Sequence, residues 1–291
     1  MAQPAERPAG LTNLQKRTLS AAVLLPVVIA AIYFGHPYFT LLVAIFAGVM
    51  GWEWTSVVAH ERASSTTSPV PIPSAGWRGM AFSAGAISVF VVLLTGFDAP
   101  TGAVLGGTFA GVVMTGVAAM RIDRAKASWV ALGVAYVAVP AAALVAIRSD
   151  QAIGLVALLW IVALVVAADT GGYLVGRTVG GPKLAPRISP NKTWSGLGGA
   201  VAGAALIGLL TAFILNHTNV LMLTLISAVI GLLEQGGDLV ESAFKRHFGV
   251  KDTSQIIPGH GGVLDRVDGL LAVAVAVLVI NLMVGGSVLA W

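Results

Sequence analysis

Nine stretches of about 17 to 23 residues run through this chain almost without charge, and that repetition constrains its fold more than any other feature. A segment crosses a bilayer only if its backbone hydrogen bonds close internally, and about 20 apolar residues in a helix cover the hydrocarbon thickness. The stretches fall at residues 18–34, 38–59, 80–97, 101–120, 128–147, 153–175, 197–215, 220–240 and 269–289. With 57% hydrophobic and only 10% charged residues, an ordinary soluble domain is excluded. The expected fold is an all-α polytopic membrane protein of about nine transmembrane helices.

The organisation follows from the same pattern. Residues 1–17 read as a polar tail, residues 18–150 as about five membrane helices, and residues 151–291 as a catalytic region of about four. A Ser/Thr/Pro-rich stretch without periodicity makes residues 60–78 a flexible loop. Lys16, Arg17 and the apolar run after them have the order of a signal peptide, but eight further spans favour a retained first helix. The chain has no cysteine, so disulfides and thiolate metal sites are excluded.

The net charge of +4 reflects membrane orientation rather than affinity for nucleic acid, because the cations sit in short loops between apolar spans and no Arg/aromatic interleaving is present. Under nine spans, sixteen of the seventeen Lys and Arg fall on one side, and only Arg148 lies opposite. The positive-inside rule then gives a cytoplasmic N-terminus and an outward C-terminus, in the cytoplasmic membrane.

Ionisable groups at membrane depth are costly and mark function by default. Glu234, Asp238 and Glu241 stand at i, i+4 and i+7, one face of a helix, near the cytoplasmic end of the eighth span. Asp265 and Asp268 enter the ninth span from that side, and Asp169 closes the polar end of the sixth. Six carboxylates on one membrane face repel unless cations intervene, and an oxygen-only ligand set suits Mg²⁺. The alternative is an ionic cluster with Lys245, Arg246 and Arg266. Glu53 lies in the second span as a buried acid with no legible partner; Trp52 and Trp54 beside it read as lipid-facing or packing residues.

Phosphate-binding chemistry surrounds these acids. Lys183, Arg187, Ser189, Asn191, Lys192 and Thr193 precede the seventh span, and Gly259, His260, Gly261 and Gly262 precede Asp265. Glycines let backbone N–H groups approach phosphate oxygens, which Lys and Arg neutralise. His260 binds phosphate, transfers a proton or holds the loop; its residue type leaves the three roles open. Neither G-x-x-x-x-G-K-[ST] nor H-E-x-x-H occurs, which argues against a P-loop and a zinc hydrolase.

The run from Ser242 to Asp268, with Lys245, Arg246, Lys251, Asp252, His260, Gly261, Gly262, Asp265 and Arg266 at fixed positions, resembles the signature of the phosphatidate cytidylyltransferases, also called CDP-diacylglycerol synthases. The blocks at residues 168–177, 184–194 and 237–242 are similar to that family too. The resemblance is specific over about 168–269 and compositional before it. Two positions depart: Ser195 stands where Glu or Gln is common, and Asn191 where a cation is frequent, which leaves Lys192 as the better phosphate contact.

The resemblance implies cytidylyl transfer from CTP to phosphatidic acid drawn from the bilayer. It implies catalytic roles for Asp238, Asp265, Asp268, Lys245, Arg246 and His260, and metal binding by Asp238, Asp265, Asp268, Glu241 and Asp169. Substrate contacts would come from Lys183, Ser189, Lys192, Thr193, Ser242, Lys251, Asp252, Gly261, Gly262 and Arg266. Mg²⁺ is the implied cofactor, with a second cation, K⁺ among the candidates. Membrane lipids are the surroundings, and dimerisation through the spans is compatible with the family. A CTP-dependent polyprenol or phytol kinase is the neighbouring reading, and a transporter with carboxylate ion sites is the rival from another class.

Overall fold

The computed structural model describes residues 13–60, 74–216, 219–257 and 260–290, with side chains from residue 22 onward. Among these residues, nine α-helices follow in order: α1 (Asn13–Phe34), α2 (Tyr38–Ala59), α3 (Ala75–Gly96), α4 (Thr101–Ala119), α5 (Ala127–Arg148), α6 (Gly154–Thr178), α7 (Trp194–Leu215), α8 (Val220–His247) and α9 (Leu264–Val284). The eight from α2 to α9 are long and apolar enough to cross a membrane, and α1 adds a shorter apolar segment, Ala22–Phe34. The protein is a multi-pass, helical membrane protein.

Boundaries differ from the sequence reading where charge was taken as the end of a helix. Helix α1 takes in residues 13–17 of the expected tail, whose remainder lies outside the described residues. Of the expected loop at 60–78, residues 61–73 lie outside the description, and α3 already begins at Ala75. Helix α8 continues past Val240 to His247, because its last turn carries Lys245, Arg246 and His247 against the negative end of the helix dipole. It stops at a Schellman turn: Gly249 has φ +76°, its N–H donates to the Arg246 carbonyl, and the Val250 N–H reaches the Lys245 carbonyl.

A two-stranded antiparallel hairpin, β1 (Lys183–Ala185) and β2 (Ser189–Thr193), joins α6 to α7, with Lys183 opposite Thr193 and Ala185 opposite Ser189. Thr193 then caps α7, its Oγ1 accepting from the Gly196 N–H at 3.0 Å. Such a short strand of Ser, Pro, Asn and Lys carries none of the alternation that announces a strand.

Helices α2 and α5 are the most enclosed, with 61% and 67% of their apolar windows buried against 22% for α4. Trp54 fixes α2 to α8: its ring stacks on Phe244 at 3.7 Å between centroids, and its Nε1 donates to the Trp129 carbonyl at 2.8 Å. Helices α6 and α7 meet backbone to backbone. A Cβ placed on Gly199 would stand 2.4 Å from the Gly171 carbonyl oxygen, the close approach that small residues allow between membrane helices. That approach puts the hairpin and the polar end of α6 beside α8.

Candidate active site

A polar cavity of about 490 Å³ opens between α6, the hairpin and α8, lined by Asp169, Tyr173, Arg177, Lys183, Asn191, Lys192, Gln235 and Asp238 among others. Its centre is an ion pair: Lys192 Nζ lies 2.6 Å from Asp238 Oδ2 and donates to Gln235 Oε1 at 2.8 Å. Gln235 passes the chain on, donating to Glu234 Oε2 at 2.9 Å, and Ser242 Oγ donates to the other oxygen of Asp238 at 3.2 Å. On the opposite wall, Arg177 donates to the Tyr173 hydroxyl at 2.6 Å. Cations and carboxylates thus line together a space wide enough for a charged ligand.

The segment between α8 and α9 is organised by two buried carboxylates. Asp265 accepts from Lys245 Nζ at 2.7 Å on one oxygen; the other takes the Thr253 N–H at 2.9 Å, the Thr253 hydroxyl at 3.0 Å and the Gly262 N–H at 2.9 Å. Four donors, three of them on one oxygen, engage this carboxylate, so in this arrangement Asp265 holds the loop together. Glu53, 0% exposed, accepts from Ser254 Oγ at 2.6 Å and from the Val263 and Leu264 N–H groups at 3.0 and 2.8 Å. The paired glycines serve this packing. Gly261 has φ +92°, a left-handed value that favours glycine, and a Cβ on Gly262 would stand 2.6 Å from Glu53 Oε1. The Gly262 N–H is therefore occupied by Asp265 rather than open toward a ligand.

Other carboxylates come in pairs. Glu241 and Asp268 interact electrostatically, as do Asp169 and Glu234. Glu241 is 0% exposed and neither of its oxygens has a hydrogen-bond donor; Lys245 Nζ sits 3.1 Å from one of them as an ion pair without hydrogen-bond geometry. Ionised carboxylates only accept, so such a pair requires a proton or a cation between them. Among the described residues no three His, Cys, Asp or Glu side chains gather as a ready-made metal cage. The oxygen-only donors and the orphaned Glu241 oxygens nonetheless fit a hard cation whose remaining ligands are water and phosphate, the usual manner of Mg²⁺.

The sequence pattern of the cytidylyltransferase family matches residues 15–284. The chain belongs to this family. It is a nucleotidyltransferase enzyme, and its curated relatives are consistent in name. The phosphatidate cytidylyltransferase of Brucella suis is 35% identical over 266 residues, spanning 91% of this chain and 92% of that protein. Its counterpart in Staphylococcus epidermidis is 42% identical over 154 residues, 53% of this chain and 58% of its own, and that of Haemophilus influenzae 47% identical over 131 residues, 41% and 43% respectively.

Within this cytidylyltransferase the predicted residues divide into three groups. Lys183, Lys192, Thr193, Asp169 and Asp238 line the polar cavity, with Ser242 hydrogen-bonded to Asp238 beside it. Lys245, Glu241, Asp265, Asp268, Gly261 and Gly262 form the interior of the α8–α9 connection, where His260 is half-buried and its N–H donates to the Ile257 carbonyl. Ser189 pairs with Ala185 in the hairpin, Lys251 and Asp252 are exposed, and Arg246 donates to the Val250 carbonyl at the end of α8. Arg266 is turned away from both groups, onto an apolar cavity of about 1050 Å³ lined by α1, α2, α5, α6 and α9. Sequence reasoning missed Gln235, Tyr173 and Thr253 and left Glu53 without a partner. A polar Gln235 inside an apolar span and Tyr173 one helical turn before Arg177 were the available signals; the contacts of Thr253 and Glu53 join different elements of the chain.

Proposed function

We propose that this membrane enzyme transfers the cytidylyl group of CTP to phosphatidate, forming CDP-diacylglycerol and releasing pyrophosphate. The observation that carries the reading is the Lys192–Asp238 pair at 2.6 Å in a cation-lined cavity, in a chain whose Brucella suis relative, matched over nine-tenths of both lengths, is named for this activity.

Chemically, a phosphate oxygen of phosphatidate attacks the α-phosphorus of CTP, the bond from that phosphorus to the bridging oxygen of the β-phosphate breaks, and pyrophosphate departs. The nucleophile arrives with the lipid, so the protein supplies positioning and charge neutralisation rather than a Ser or Cys. Arg177, Lys183 and Lys192 line the cavity that would take the triphosphate, and their charge offsets the negative charge of the departing group. Asp238 holds Lys192 in place. Asp268, Glu241, Asp238 and Asp169 are the residues that would hold Mg²⁺ and a second cation, which supply Lewis-acid neutralisation of the phosphates when bound. Asp265, held by Lys245, Thr253 and Gly262, fixes the segment that carries Asp268. The cation asymmetry of the loops supports a site facing the cytoplasm, where CTP arrives from water and the lipid from the bilayer.

The test is product identification. Purified protein given CTP, phosphatidate and Mg²⁺ is expected to yield CDP-diacylglycerol and pyrophosphate, with Lys192→Met reducing turnover by about two orders of magnitude. Formation of CDP and a newly phosphorylated lipid would instead establish the kinase reading.

A further inference from the structure

We infer that Glu53, in the N-terminal half of the chain, is a positioning residue for cytidylyl transfer: it clamps the two ends of the 254–264 segment and caps helix α9 from outside. The inference rests on the function proposed above. Helix α9 has no cap of its own. Val263 occupies the cap position without a side-chain hydrogen bond; of the first N–H groups, that of Arg266 turns back to the Val263 carbonyl, while that of Leu264 is taken up by a side chain from outside the segment. Glu53 fills that role from 210 residues away, accepting from the Val263 N–H at 3.0 Å and the Leu264 N–H at 2.8 Å. A carboxylate at a helix N-terminus also complements the dipole.

The same carboxylate reaches the other end of the segment, where Ser254 Oγ donates to Oε1 at 2.6 Å. Both ends of the 254–264 stretch are thus tied to one side chain of α2. Thr253, just before the stretch, and Gly262, inside it, donate to Asp265, which Lys245 holds in turn. Gly262 sits between the two carboxylates, with space for no larger residue. Burying Glu53 completely inside an apolar helix is costly unless donors compensate, and three donors aimed at it supply that compensation. Asp268 follows one turn into α9, so the register of the α9 N-terminus sets where its carboxylate stands relative to Glu241. Glu53 therefore acts through the segment on the carboxylates, without touching the polar cavity lined by α6, the hairpin and α8.

This makes a separable prediction. In Glu53→Gln, one acceptor oxygen becomes an NH₂ facing backbone donors. The kcat is expected to fall about tenfold or more while the KM for CTP stays within about twofold, since geometry at the reacting atoms is lost and the nucleotide cavity is untouched. Amide hydrogen exchange at residues 254–264 should quicken about tenfold with the remaining helices unchanged. The milder Ser254→Ala should give a smaller loss of the same kind, and its effect should shrink in the Glu53→Gln background because the two share one bond. A Glu53→Gln protein with lower folded yield but normal kcat per folded molecule, or with unchanged exchange at 254–264, overturns the inference. Wild-type turnover of CTP and phosphatidate tests the reaction by itself; the exchange arm tests the clamp whichever way that turnover falls.

Discussion

Lys245 Nζ stands 2.7 Å from Asp265 Oδ1, an ion pair whose side chains are only 11% and 3% exposed. The same ammonium lies 3.1 Å from Glu241, one turn back on α8. One cation therefore serves two buried acids, and it does so because α8 runs on to His247 as helix. Removing it leaves Glu241 with no donor and Asp265 with neutral donors alone in a low-dielectric interior. Lys245→Met is expected to destabilise the protein by about 3–5 kcal/mol, read as a lower Tm in detergent, whereas exposed Lys251→Met should leave Tm unchanged.

The two aspartates of the α9 N-terminus should separate by function. Asp265 is engaged on both oxygens by protein donors, while Asp268 neighbours Glu241, whose oxygens have no hydrogen-bond donor. In a Mg²⁺ titration of activity, Asp268→Asn and Glu241→Gln are expected to raise the half-maximal concentration by about tenfold or more, as loss of a ligand does. Asp265→Asn should lower Tm and kcat with the midpoint displaced by less than about twofold. Chelation should abolish turnover in the wild type and Mg²⁺ should restore it.

Orientation is open to direct chemical test because the chain contains no cysteine. Single cysteines at Arg187, in the hairpin connection, and at Ser149, beyond the end of α5, should label from opposite sides of intact cells. Ser149→Cys is expected to react with an impermeant maleimide added outside, and Arg187→Cys only after permeabilisation. The reverse pattern would invert the cation-based topology.

The α6–α7 contact should tolerate no side chain. With the Gly171 carbonyl 2.4 Å from where a Gly199 Cβ would sit, Gly199→Val must part the helices, at about 1–3 kcal/mol. Because α6 and the hairpin form two walls of the polar cavity, the KM for CTP should rise as Tm falls. Gly198→Val, with open space at its Cβ position, is the control.

Particular residues show how far the sequence could be read. The second span, 38–59, coincides with α2 because apolar length alone defines it. The eighth span, bounded at Val240 by its apolar length, is shorter than α8, which runs on to His247 with Glu241 and Lys245 paired at i, i+4. Spacing placed Glu234, Asp238 and Glu241 on one face, but their separate partners, Asp169, Lys192 and Asp268, belong to three other elements. The glycines of the signature read as an approach to phosphate oxygens; that Gly262 lies against Glu53, more than two hundred residues earlier, was not legible. Patterns within one element are local, whereas the partner of a buried acid is decided by which helices pack.

The most direct test of the account follows the phosphorus atoms. CTP labelled at its α-phosphorus, incubated with purified protein, phosphatidate and Mg²⁺, should deliver the label to the lipid fraction as CDP-diacylglycerol, with one pyrophosphate released for each lipid formed. Label remaining in CDP while a γ-phosphate appears on lipid, or solute movement in proteoliposomes with no CTP consumed, would contradict it.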